Sequence, residues 1–544
     1  MNLLIKNGLM VDGTGAPGQV SDILIKDDII QKIGKNLKTN GFEVIDASGK
    51  IVSPGFIDIH NHSDLNLFAS TKIEPYIMQG VTTIVVGMCG LGVAPSNEKV
   101  KKYYFEFLNK AFNSSQMMFE NLKDYFNAIE KKKISANLAF FIPQGNVRAC
   151  VLGAEERPAT EEEINAMKEI VKYNMEAGAF GLSSGLVYPP GSITPTSELI
   201  ELAKVVSKYD GVYDSHMRNE GAGVIDIGMK ELVEIARGAN VKAHISHWSV
   251  ISKYAYDLTP QVIEYIKNAR KEGLKISADV TVYDDGATSL SFILLSTWVY
   301  QNFKENLTKV DTRKKLIREV FEKLYSWFMS DAPFYVKLLP KSVLKRLLFT
   351  GLSKGTMIIS CAYKHQVEGK TIFEALKELY PGKKIEDALL DFIRDEDGGI
   401  MIRIKQKDEE KSVIPIFKQD FVCPSSDGFL VVDKNTHPRS YGAFARVLER
   451  WVRERKEVPL EEAVRKMTSL PASILGLKDR GVLKEKYKAD LVIFDLNKIK
   501  EKGTLQNGRQ HPEGIDYVIV NGQITAAKGK HLGVLNGQIL KHGK

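Results

Sequence analysis

Short apolar runs recur through the middle of the chain, each followed by a polar loop and a stretch of charged, helical character. The runs are FIDIH (56–60), TTIVVG (82–87), ANLAFFI (136–142), GAFGLS (178–183), GVYDS (211–215), VKAHIS (241–246), LKISADV (274–280) and QDFVCPS (419–425). Segments such as EEEINAMKEIVKYNMEAG and EEAVRKMTSLPASILG space their apolar residues three and four apart, as an amphipathic helix does. Short apolar strands alternating with helices predict a parallel sheet covered on both faces. Eight such strands close a barrel, so the expected fold is α/β, a (β/α)8 TIM barrel over residues 54–475. Chemistry in such barrels sits on the loops that follow the strands.

The two ends follow another rhythm. Residues 1–53 (LLIKNGLMVDGTG, VSDILIKDDIIQKIG) and 476–544 (KADLVIFDL, IDYVIVNGQIT) alternate apolar and polar positions between turn signals. They predict a small β-sandwich domain formed from both chain ends. The seventh run ends at 280 and the eighth begins at 419, so an insertion is expected near 290–360. That stretch (STWVYQNFKENL, VFEKLYSWFMSDAPFYVKLLPKSVLKRLLF) is helical in pattern, basic and aromatic. It reads as a structural attachment to the barrel, with a lid or a membrane-surface helix as the alternatives.

Composition narrows the class. A chain of 544 residues exceeds one compact core, and 44% hydrophobic with 26% charged residues is ordinary for a globular protein. No run reaches the ~18–20 apolar residues of a membrane span. MNLLIKNGLMVDG lacks the basic start and continuous apolar segment of a signal peptide. Cys89, Cys150, Cys361 and Cys423 are scattered without a CxxC pair, so a cytoplasmic protein with reduced thiols is expected. The net charge of +8 comes from bases interleaved with acids, the pattern of solvated helix faces rather than of a nucleic-acid stripe. A mild positive field suits a small anionic substrate.

The decisive feature is where the metal-type residues fall. His60 and His62 end the first run as HNH, Cys89 follows the second, His216 the fifth, His247 the sixth and Asp427 the eighth. Alternate residues of an extended strand point the same way, so His60 and His62 can share one ion. Imidazole, thiolate and carboxylate are all zinc ligands. Each signal alone is weak, but six at the ends of barrel strands point to a metal centre. His244, inside the sixth run, is expected to pack or support, and His437 in THPRSYGAF to line or prop the site.

These strand-end ligands resemble the pattern of the amidohydrolase superfamily. SPGFIDIHNHSD, QGVTTIVVGMCG, GAFGLSSGLVYPPG, YDSHMRNEG, ISHW, SSDG, HPRSYGAFARVLERWVRE and MTSLPASILGL, followed by DRG and KADLVIFD, are similar to the N-acyl-D-amino-acid deacylase (D-aminoacylase) family. The likeness runs from about residue 50 to the end of the chain. It implies Zn2+ as cofactor and hydrolysis of an N-acyl-D-amino acid, a small carboxylate-bearing substrate. The fourth run continues as GLSSGL, without the lysine that bridges two metals in many superfamily members. The resemblance therefore makes Cys89 the substitute ligand, with His216 and His247 completing a tight site. His60, His62 and Asp427 then border a second, weaker site, and Asp427 shuttles the proton. Tyr188, Tyr283 and Arg439 are the candidates to meet the substrate.

Three segments depart from the family. Trp248 and Ser249 stand where it usually has histidine and lysine, Gln144 where it tends to have histidine, and Thr281, Val282 and Tyr283 where it has Tyr-Pro-Tyr. The runner-up is a cyclic-amide hydrolase of the dihydroorotase or hydantoinase kind, against which the missing fourth-strand lysine argues. A non-catalytic structural relative is expected to lose ligands, and none of the six is lost.

Overall fold

Eight strands form where the eight apolar runs predict them: β1 Phe56–Asp58, β2 Val81–Val86, β3 Asn137–Pro143, β4 Gly181–Gly185, β5 Val212–His216, β6 Lys242–Ile245, β7 Ile276–Thr281 and β8 Val422–Ser425. The computed structural model describes residues 2–543 except 39, 103–116, 330, 331 and 333. The strands pair in sequence order, all parallel. Closure comes just beyond β8 and β1, where Asp427 N donates to His60 O at 2.9 Å and His62 N to Gly428 O at 2.9 Å. Asp58 staples the same seam by accepting from Ser426 N (2.9 Å) and Asn61 Nδ2 (2.8 Å). Barrel closure and site assembly thus share the same residues.

Helices cover the barrel for local reasons. Glu161–Ala177 starts at a capping box between Thr160 and Glu163 and stops at Gly178, whose φ of 116° continues no helix. It buries Met167, Val171 and Met175, each four apart. EEAVRKMTSLPASILG divides into Leu460–Met467 and Ser469–Leu475, broken at Thr468. The floor of the barrel is sealed by Ile57, Ile59, Val85, Phe141, Phe180 and Val212 packed with Ala472 and Leu475 of the second helix and with Leu540 near the chain's end.

Both chain ends enter one nine-stranded sheet, in which Ile51–Pro54 pairs antiparallel with Leu491–Phe494. Leu3, Ile5, Ile23, Ile25, Val52, Leu491, Ile493 and Ile519 share its core. Asp490 ties this sheet to the barrel, accepting from Asn521 N (2.7 Å), Asn137 Nδ2 of β3 (3.0 Å) and Arg480 Nη1.

Between β7 and β8 the chain builds an antiparallel sheet of Asp285–Ser289, Ile400–Lys405 and Thr356–Cys361. Helices Val310–Met329, Lys341–Gly355 and Ile385–Asp395 surround it, and Leu316, Leu324, Phe349, Leu389 and Ile402 form a separate core. A helical pattern alone missed this sheet because its three short strands lie far apart in sequence. Ser330, Asp331 and Pro333, inside the stretch read as helical, lie outside the described residues. No helix among the described residues is long and apolar enough to cross a membrane.

Candidate metal centre

Cys89 Sγ lies 3.3 Å from His60 Nε2, 3.6 Å from His216 Nδ1 and 3.6 Å from His247 Nε2. With Zn–S about 2.3 Å and Zn–N about 2.05 Å, a tetrahedral zinc site has an S···N edge of about 3.5 Å. The donor set therefore fits such an ion in both chemistry and spacing. His60 also belongs to a second group, since Asp427 Oδ1 lies 3.7 Å from its Nε2 and 3.2 Å from His62 Nε2. All six residues predicted from strand ends converge at one mouth of the barrel.

Each of the three imidazoles around Cys89 turns its other nitrogen toward a carboxylate. His247 Nδ1 is 3.3 Å from Glu220, His216 Nε2 is 4.0 Å from the same carboxylate, and His60 Nδ1 is 3.5 Å from Asp279. Such outer carboxylates fix the tautomer and orientation of metal-ligating histidines. Burial pushes His216 and His247 down to about 3 and His62 down to about 4, so these rings are neutral, as ligation requires. Burial pushes the Cys89 thiol up to about 12, and a coordinated thiol gives up that proton. Burial also acts to raise the Asp427 carboxyl. Arg439 and the rings of His62, His60 and His247 outweigh it and hold Asp427 well below the usual carboxylate range.

The backbone is strained where the ligands emerge. Cys89, His247 and Asp427 have φ of 53°, 34° and 47°, the left-handed region that ordinary side chains adopt only when their surroundings enforce it. The Cys89 loop is held by β4, where Ser183 Oγ donates to Gly87 O at 2.5 Å and accepts from Gly90 N at 3.1 Å. A Cβ on Gly185 would lie 2.2 Å from Cys89 O. The glycine that ends β4 is thus what lets the cysteine loop approach.

A model of the amidohydrolase family matches residues 43–191 and 418–526. A D-aminoacylase of Alcaligenes xylosoxydans xylosoxydans is 30% identical over 98% of this chain and 96% of its own. The crystal structure of an N-acyl-D-glutamate deacylase from Bordetella bronchiseptica, complexed with zinc and a phosphonate mimic of the tetrahedral intermediate, superposes with a TM-score of 0.81. It covers 99% of both chains at 27% identity. A dihydroorotase of Thermoanaerobacter sp. matches only 52% of this chain and 60% of its own, at 26% identity. The chain belongs to the D-aminoacylase family of amidohydrolases.

Around this D-aminoacylase-type centre, the three candidates for substrate contact occupy different places. The Tyr188 ring stands edge-on to His216 at 4.9 Å and stacks on Phe292 of the insertion at 4.6 Å. Arg439 is buried, with Nη1 2.9 Å from Asp427 Oδ2 and Nη2 donating to Ala287 O at 3.2 Å. Tyr283 donates its hydroxyl to Glu501 and sets its ring edge-on to His437 at 5.2 Å. His437 Nε2 is 2.9 Å from Asp285 Oδ1, propping the loop after β8 against the insertion. His244 supports from within, bonding Ser277 Oγ at 2.8 Å and Asp279 Oδ1 at 3.1 Å.

The departures from the family also find places. Trp248 is fully buried and stacks on Phe421, while Gln144 Nε2 donates to Thr194 Oγ1 at 3.1 Å. Three acids and one base escaped the sequence reading: Glu220, Asp279, Asp58 and Lys407. Glu220 left the clearest signal, standing four residues after His216 within SHMRNEG.

Proposed function

We propose that this chain is a zinc-dependent hydrolase that cleaves N-acyl-D-amino acids to a carboxylate and a free D-amino acid. The reading rests on one observation above all: Cys89 at tetrahedral-edge distances from three imidazoles, each backed by a carboxylate. Cys89, His216 and His247 would hold the tight ion, and His60, His62 and Asp427 would border a second, weaker site. Bound zinc supplies an activated water near neutral pH and polarises the scissile carbonyl.

The remaining work falls to the chain's own side chains. Asp427, ionised and fixed by Arg439, takes the proton of the attacking water and delivers it to the leaving nitrogen. Tyr188 and Phe292 wall the mouth beside His216 and keep water from that flank. Arg439 acts through Asp427, and Tyr283 through the prop at His437. In this reading residues 54–475 carry the chemistry, while 1–53 and 476–544 support them. The four cysteines are free, which agrees with a reducing, cytoplasmic setting.

Opening of a cyclic amide is the second reading, and β4, which reads GLSSG, offers no lysine to bridge two metals. The test is hydrolysis of N-acetyl-D-methionine and N-acetyl-L-methionine, with a hydantoin alongside. A side chain forced into the wrong wall costs enough for ~10³-fold preference for the D form. Equal kcat/KM for the enantiomers, or good turnover of the hydantoin alone, would overturn the proposal.

A further inference from the structure

The strongest unused group in the mouth of the barrel is a lysine that the insertion delivers. Lys407 follows the strand Ile400–Lys405, and its backbone N donates to Asp284 O at 3.0 Å. The outgoing and returning segments of the insertion are thus tied together at the end of β7. The side chain turns inward: the residue is 5% exposed, and Nζ donates to Thr281 Oγ1, on the last residue of β7, at 2.6 Å.

An ammonium carries three N–H donors, and removing it from water costs several kcal/mol unless it is paired. Lys407 has one neutral hydroxyl as its hydrogen-bond partner. Among the described residues no carboxylate is in ion-pair contact with it. The charges that act on it are those of Glu220, Asp427, Arg439 and Asp285, and it acts in turn on His247. Each of those acids is committed elsewhere: Glu220 to His216 and His247, Asp427 to Arg439 and His62, Asp285 to Arg403 and His437. Arg439, the other cation of the mouth, spends one nitrogen on Asp427 and another on a carbonyl. Burial pulls the Lys407 ammonium below the usual lysine range, so an anion bound beside it would stabilise the charged form, and the donors that Thr281 leaves over make it a receptor for one.

We infer that Lys407, presented by Thr281, binds the α-carboxylate of the substrate, so that the insertion supplies the recognition of an acid over its neutral analogue. The inference rests on the deacylase reading. In an N-acyl amino acid the carboxylate lies one carbon from the scissile nitrogen, so its receptor must stand at the same mouth of the barrel, where Lys407 reaches Thr281 at the end of β7. The same group excludes neutral amides by leaving the ammonium unpaired when they bind.

The test compares N-acetyl-D-methionine with its primary amide in the zinc-loaded wild type, Lys407→Met and Lys407→Arg. A hydrogen bond to a charged partner is worth about 10–100-fold in binding. Lys407→Met is expected to lose that factor on the acid, chiefly in KM, and far less on the amide, so that the acid-to-amide ratio of kcat/KM collapses. Lys407→Arg is expected to keep part of the ratio. Calorimetric titration with the product D-methionine is expected to show the same loss of affinity without turnover. Lys407→Gln, which keeps a donor toward Thr281, serves if the Met variant does not fold. An unchanged acid-to-amide ratio in the variant beside an active wild type would overturn the role of Lys407 alone. A wild type that hydrolyses neither compound but opens a hydantoin would overturn the deacylase reading, and this assignment with it.

Discussion

Arg439 holds Asp427 by a 2.9 Å contact between Nη1 and Oδ2, while the other oxygen of Asp427 faces His62 at 3.2 Å and His60 at 3.7 Å. The carboxylate is therefore fixed on one side by a buried guanidinium and left to the imidazoles on the other. A group so held is suited to moving a proton without changing its place. Asp427→Asn is expected to retain at least one zinc, since the Cys89 cluster stands without it, and to lose ~10²–10⁴-fold in kcat. Steady-state rates with elemental analysis of the same sample check this, and a near wild-type rate would move the role elsewhere.

In the proposed function Cys89 is the ligand on which the tight site turns. Cys89→Ala is expected to strip zinc and abolish activity while the circular dichroism of the barrel stays native. The packed interior of Phe56, Ile84, Phe140, Leu182, Tyr213 and Ile245 does not depend on an ion at its rim. Full zinc content in the variant, by elemental analysis, would refute the assignment.

Glu220 braces two of the histidines from behind. Glu220→Gln keeps its shape but removes the charge that makes those rings better ligands. Zinc affinity is expected to fall ~10–100-fold, read by competition with a chelator. Unaltered affinity would mean that Glu220 serves the loop rather than the metal.

Asp490 poses a question of stability alone. Arg480 is buried against it, and Asn137 and Asn521 share its oxygens. Asp490→Ala takes away the buried one of that guanidinium's two carboxylate partners, leaving half-exposed Asp479, and is expected to cost about 3 kcal/mol. Denaturant unfolding would register the loss, and hydrogen exchange would place it in Leu491–Phe494, while kcat in the cold stays near wild type. Equal unfolding midpoints would show the knot to be dispensable.

The eight strands were legible because buried parallel strands are apolar throughout, and the convergence of the six candidate ligands because histidines were few and sat at strand ends. What surrounds them was not. Asp279 looks in sequence like any solvated acid, Glu220 offers only its spacing from His216, and the fold shows that their oxygens face imidazole nitrogens. Lys407 was hidden for a further reason, since its partner Thr281 lies 126 residues earlier. The sheet that carries it is made of strands too short and too scattered to announce themselves. Tyr283 adds a partner of the same hidden kind: its hydroxyl goes to Glu501, 218 residues away, a pairing no local pattern encodes.

The sheet shared by both chain ends also bears on how this protein is made. Ile51–Pro54 finds its antiparallel neighbour only when Leu491–Phe494 exists, and Lys50 and Asp495, bonded across that seam, are 445 residues apart in sequence. At about 5–20 residues per second a ribosome needs roughly 20–90 s to cover that distance. Throughout that interval an unpaired strand edge and an unstoppered barrel floor wait for Leu491–Phe494 and Leu540. Synthesis of Leu491–Phe494, rather than emergence of the barrel, is thus the event that closes this sheet.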